Sequence, residues 1–164
     1  MDKQYHPTEI EEKWAKVWSE RKVKNESSTE SFSQVIPPPN VTGTLHMGHS
    51  FQYAIMDFYT RYNHMAGKDS YWQVGSDHAG IATQMVVENN LAKKDITRKD
   101  LGREKFLEEV WSWKGYSEEK ITSQIKRLGN TVDWNKYRFT LDDDFNEAVI
   151  KAFVELHRKG KIYR

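Results

Sequence analysis

His46 and His49 close the segment Pro37-Pro38-Pro39-Asn40-Val41-Thr42-Gly43-Thr44-Leu45-His46-Met47-Gly48-His49. On a helix this spacing puts both imidazoles on one side, about one turn apart. On a first turn they can donate hydrogen bonds to phosphate oxygens, which the open N–H groups and the positive helix end also favour. Gly48 has no side chain, so a flat base or ribose could pack against the helix backbone. Two other uses stay open for the pair: ordinary surface histidines, or part of a metal site, since imidazole is a common ligand. A second group, Gly75-Ser76-Asp77-His78-Ala79-Gly80, offers a carboxylate. Asp77 can pair with the α-ammonium of an amino acid. It can equally cap a following helix, because Asp is among the best N-caps.

Both groups lie where a strand ends and a helix begins. Val35-Ile36 closes a short strand, stopped by prolines that cannot donate to a ladder. A long helix is expected from Leu45 or His46, with Met47, Phe51, Ala54, Ile55, Phe58, Tyr62 and Met65 as its apolar face and Gly67 as its cap. Ser70 to Val74 reads as a second strand, broken by Gly75-Ser76-Asp77. Strand, helix, strand makes a βαβ unit with parallel strands, an α/β arrangement that places ligands outside the carboxyl ends of its strands. A helix follows from Gly80 through Leu91. Another runs from after Thr97 to Leu128-Gly129, bent at Gly115, with Phe106, Val110, Trp113, Ile121, Ile125 and Leu128 on its face. The last spans about Asp142 to Lys159, with Phe145, Val149, Ala152, Phe153 and Leu156 inward, and Ile162-Tyr163-Arg164 reads as a strand beginning. Upstream, Thr8 and Glu11 have capping-box spacing, and Ile10, Trp14, Val17 and Trp18 share a face. The polar stretch Lys24 to Ser33 reads as a solvated loop. It divides the chain into a helical extension and linker, residues 1–32, and a main unit, residues 33–164.

Composition narrows the function classes. The 164 residues carry 25 Lys and Arg against 24 Asp and Glu, a formal net charge of +1. That balance argues against a dedicated nucleic-acid clamp, so any nucleic-acid contact made by this chain would be local. No cysteine is present, which excludes a disulfide framework and a Cys-ligated zinc site and fits a cytoplasmic protein. No apolar run approaches the ~18–20 residues of a membrane span, and the polar N-terminus is unlike a signal peptide.

The histidine segment resembles the HIGH signature of class I aminoacyl-tRNA synthetases, and its extended form is similar to the valyl branch of that family. The isoleucyl, leucyl and methionyl branches usually carry Pro-Tyr and then Ala-Asn-Gly or Pro-Ser-Gly there. Gly75-Ser76-Asp77-His78-Ala79-Gly80-Ile81-Ala82-Thr83-Gln84 resembles the valyl Gly-Thr-Asp-His-Ala-Gly-Ile-Ala-Thr-Gln, with Ser76 for Thr. Leu128-Gly129-Asn130-Thr131-Val132-Asp133-Trp134 is similar to Leu-Gly-Ala-Ser-x-Asp-Trp, with Asn130-Thr131 read as a structural change only. The resemblance covers nearly the whole chain and is weakest over residues 24–33.

The resemblance implies the first half of a helix-rich, Rossmann-like (HUP-type) nucleotide-binding domain. It implies valine activation with ATP and Mg²⁺, followed by transfer to tRNA(Val). Asn40, Thr42, Gly43, His46, Gly48 and His49 would then face the nucleotide, with the two histidines on its phosphates. Asp77 and the Pro38 carbonyl would hold the valine ammonium, Pro37 would wall the side-chain pocket, and Asn40 would lie near the carboxyl. No metal ligands are implied in the chain itself, and Mg²⁺ would arrive on ATP. The resemblance also implies an editing insertion, a second half-domain with a lysine loop and an anticodon-binding domain beyond Arg164. An adenylating fragment, an ATP-binding half-site without turnover and a non-catalytic interaction module all stay open. Self-association of the isolated chain is expected.

Overall fold

The computed structural model describes residues 4–20 and 28–164. The chain runs α1 (Pro7–Ser19), β1 (Ser31–Val35), α2 (Met47–Met65), β2 (Asp69–Gln73), β3 (Gly75–Ser76), α3 (Gly80–Ala92), α4 (Arg98–Arg127), β4 (Arg138–Phe139) and α5 (Asp143–Arg158). β1 and β2 pair in parallel from Ser31 opposite Asp69 to Val35 opposite Gln73, with α2 as the crossover. β3 pairs in parallel with β4.

The expected break at Gly75-Ser76-Asp77 does not occur. Backbone carbonyls of Gln73 and Asp77 accept from Ile36 and Val41, while those of Val74 and Ser76 accept from Arg138 and Thr140. Successive carbonyls of an extended chain point to opposite edges. The β2–β3 path therefore has β1 on one edge and β4 on the other. Gly75 is required there because a Cβ would run into the Arg138 carbonyl.

The core gathers Ile36, Tyr53, Trp72, Val74, Ile121, Ile125 and Val132, so α2, α4 and the sheet all contribute to it. α2 turns the opposite way from its apolar period. It buries Tyr53, Asp57, Thr60 and Asn63, whereas Met47, Phe51, Ile55, Phe58, Tyr62 and Met65 are exposed. The buried polar side is viable because its groups are paired. Asp57 accepts from Arg61 at 2.6 Å and from the Thr131 amide at 2.6 Å, and Gln34 bonds both Met56 O and Thr60. α5 forms as expected but buries none of its residues, so Phe145, Val149, Phe153 and Leu156 face solvent instead of a core.

Other expectations are corrected locally. α1 starts at Pro7 with His6 as N-cap and no side-chain cap, so Thr8 and Glu11 form no capping box. Proline is pre-organised for a first helical position, which starts the helix before Thr8. α4 departs from helical geometry at Gly102 (φ 74°), not at Gly115. Ser31 to Ser33 belong to β1, not to the polar loop expected over 24–33, whose residues 24–27 lie outside those described. Ile162 to Arg164 form no strand. No helix among the described residues is long and apolar enough to cross a membrane.

Candidate functional site

The start of α2 is capped by the histidines themselves. His46 is the N-cap, and its Nδ1 accepts from the Gly48 amide at 3.1 Å. In return the His46 amide donates to His49 Nδ1 at 3.2 Å. A capping box normally uses Ser or Thr with Glu or Gln; here two imidazoles do both halves. A nitrogen that accepts carries no proton, so on each ring Nε2 is left as the donor. The ring centroids lie 3.9 Å apart. Burial, and then the neighbouring His46, lower the His49 pKa below its ordinary 6.5, which favours the neutral ring. Gly48 sits so close to the His46 ring that an added Cβ would meet Cε1 at 2.9 Å. Glycine here makes room for the capping ring, in addition to any space it leaves for a ligand.

His49 continues inward to Tyr53, with centroids 6.0 Å apart, and Tyr53 to Trp72 at 6.3 Å. The Tyr53 hydroxyl donates to Pro37 O at 3.4 Å, tying the helix to the prolines at the end of β1. Burial pushes the Tyr53 pKa up to about 12, so it remains a donor at neutral pH. Pro37 and Pro38 are exposed, and Pro39 is buried.

The second group meets the first directly. Asn40 and Asp77 form a parallel bridge, the Asp77 amide donates to Pro39 O at 2.8 Å, and the Val41 amide donates to Asp77 O at 2.9 Å. Asp77 is not the cap of α3. The N-cap is Ala79, in left-handed conformation and without a side-chain cap, and Asp77 Oδ1 instead accepts from the Ala79 amide at 2.7 Å. Its side chain is 37% exposed, with His78 Nδ1 3.5 Å away. Thr140 braces His78, its Oγ1 accepting the His78 amide at 2.9 Å and lying 2.6 Å from Nδ1. Beneath, the Tyr137 hydroxyl oxygen lies 2.6 Å from Ser76 Oγ and 3.0 Å from a Glu118 carboxylate oxygen, and Lys114 pairs with Glu118 at 2.7 Å.

The sequence-derived residues fall into two sets. Pro37, Pro38, Asn40 and Asp77 line one sheet end; His46, Gly48 and His49 form the helix start. Thr42 and Gly43 lie in the loop between, both partly exposed. Among the described residues no hydrogen bond links either histidine to Asp77. Sequence reasoning missed Tyr53, Ser117, Gln124 and Thr140. Tyr53 was findable, one helical turn beyond His49. Ser117 and Gln124 share the stripe of Ile121 and Ile125.

The profile of tRNA synthetases class I (I, L, M and V) matches residues 9–164. The chain is 57% identical over 161 residues to a valine--tRNA ligase of Acinetobacter baylyi, covering 98% of this chain and 17% of that protein's length. Its fold is similar to an Agrobacterium radiobacter LeuRS solved with tRNA and LeuAMS, with TM-score 0.73 and 23% identity over 98% of this chain and 19% of that one. With parallel strands, a crossover helix and both signature segments at one sheet end, the chain belongs to the class I aminoacyl-tRNA synthetases of the I, L, M and V group.

Proposed function

We propose that this chain is the part of a valine--tRNA ligase that receives valine and ATP for adenylation. The observation that carries the reading is the bridge between Asn40 and Asp77, which holds the two valyl-type segments side by side at the end of the parallel strands. In this reading the valine carboxylate attacks the α-phosphorus of ATP, a Pα–O bond forms, and the bond to pyrophosphate breaks. The rings of His46 and His49 donate Nε2–H to phosphate oxygens as the leaving group gains charge. Asp77 pairs with the valine ammonium, together with the Pro38 carbonyl. Pro37 bounds the side-chain pocket, and Asn40 lies by the carboxyl. Thr42, Gly43 and Gly48 admit the nucleotide close to the backbone. Mg²⁺ comes with the triphosphate, and tRNA(Val) is the acceptor in the cytoplasm. Residues 1–32 act as a helical extension and linker to the unit 33–164, with α1 packed against α4.

A second reading concerns the 164-residue chain by itself: weak ATP binding with little turnover, and self-association. It is favoured by the exposed apolar faces of α2 and α5. The chain spans 17% of the length of the valine--tRNA ligase it matches. A hybrid tests the first reading: this chain replaces the matching segment of the Acinetobacter baylyi enzyme, and ATP–pyrophosphate exchange is measured with each amino acid. Exchange should be valine-dependent. A clear preference for leucine or isoleucine contradicts the valyl assignment.

A further inference from the structure

We propose that the side of α4 carrying Trp113, Ser117 and Gln124 positions the histidines, by fixing the loop backbone ahead of them. Trp113 Nε1–H donates to Val41 O at 2.9 Å, and the Ser117 hydroxyl donates to Gly43 O at 3.0 Å. The Leu45 amide donates to Gln124 Oε1 at 2.9 Å. Residues 113, 117 and 124 fall in one narrow stripe at ~3.6 residues per turn. They meet Val41, Gly43 and Leu45 in order along the loop, which turns at Val41–Thr42. The start of the loop is also held by the Val41 amide on Asp77 O. The stripe has a firm base, because Ile121 and Ile125 on the same side are buried in the core.

Leu45 is the residue before the N-cap. Its amide fixes the entry to α2, and the reciprocal His46–His49 bonds carry that placement to both rings. Trp113, Ser117 and Gln124 reach the loop through backbone groups and not through a reacting atom, so they are positioning residues. Their effect on rate rests on the adenylation reading above; their effect on the rings does not.

The test has two arms. In the 164-residue chain, long-range ¹H–¹⁵N spectra should show His46 and His49 each as the Nε2–H tautomer. Gln124→Leu removes the acceptor of the Leu45 amide and should replace that pattern by averaged ring signals. Gln124→Glu keeps an acceptor oxygen and should restore it. In the hybrid enzyme, Gln124→Leu should lower kcat for valine-dependent exchange about 10- to 100-fold, the scale of a displacement near 1 Å, with KM for valine within about twofold. Ser117→Ala should act in the same direction and Ser117→Thr should recover most of the loss, which keeps the test usable if Gln124→Leu unfolds. Unchanged tautomers with only a lower melting temperature would overturn the proposal. So would a rise in KM at constant kcat. A hybrid with no exchange before any substitution counts against the adenylation reading, and the ring spectra still decide the positioning claim.

Discussion

The two sides of α2 invert the usual order of a surface helix. Toward the sheet it presents Tyr53, Asp57, Thr60 and Asn63, and toward solvent Phe51, Ile55, Phe58, Tyr62 and Met65. The inner side is held by specific bonds and leads straight to the histidines through Tyr53. The outer side is a contiguous apolar surface of the kind that marks an interaction site. Apolar periodicity thus locates a helix reliably, but names its buried side only when the helix has a single partner. The functional end of this helix is built on polar pairing.

Substitutions can break this contrast, beginning with the largest effect. His49→Ala in the hybrid enzyme should lower kcat by about 10²–10³-fold, the loss expected for one donor to developing charge, with little change in valine affinity. Wild-type turnover would return the pair to surface histidines. On the inner side, Asp57→Ala leaves the buried Thr131 amide without its acceptor, while Arg61 keeps its bond to Gly129 O, and should cost about 1–3 kcal/mol in denaturant unfolding. A loss as small as that of a surface change would show that the polar side is not what holds α2. At the sheet end, Asp77→Asn keeps the oxygen that accepts from Ala79 and should preserve the fold. Removing its charge from the valine ammonium, a bond worth about 1.5–3 kcal/mol, should raise KM for valine about tenfold or more. Stability loss with unchanged valine kinetics would assign Asp77 to the turn alone.

Acid sharpens the contrast with a smaller effect. The folded His49 ring holds its proton less well than the ordinary 6.5, through burial and then through His46. The unfolded ring therefore protonates first as pH falls through about 6.5. Stability is lost from there downward and levels off once the folded ring is protonated too, with no contribution above that range. A ring titration of His49 by NMR should give a midpoint below 6.5, and a midpoint at or above it would contradict the partly buried, accepting geometry.

Much of the site was legible because its residues are local to two strand ends. Pro37 to His49 announces a stop, a turn and a helix start, and the parallel crossover follows from its spacing to the second strand, whereas Gly75 to Asp77 was expected to break that strand and instead continues its path. What joins them was not legible. The Asn40–Asp77 bridge and the bonds from Trp113, Ser117 and Gln124 come from distant stretches, and no periodicity specifies a pairing across such a gap. Of the two uses the sequence left open for Asp77, the cap is removed by the structure, because the left-handed Ala79 takes that place. Gly102 and Gly115 look alike in sequence, and only the observed φ of 74° at Gly102 tells which one bends the helix.

Amide hydrogen exchange on the 164-residue chain, resolved by residue, tests the central contrast most directly. Groups that open only with the core exchange slowly, while a helix held by few tertiary contacts frays. The amides of Val41, Leu45, Gly48 and Asp77 should be protected to nearly the level of β1 and β2. Those of α5, which buries no residue, should exchange far faster despite their helical bonds. Fast exchange at Val41, Leu45 and Gly48, with α5 protected as well as the sheet, would contradict a pre-built site beside an unpartnered apolar surface.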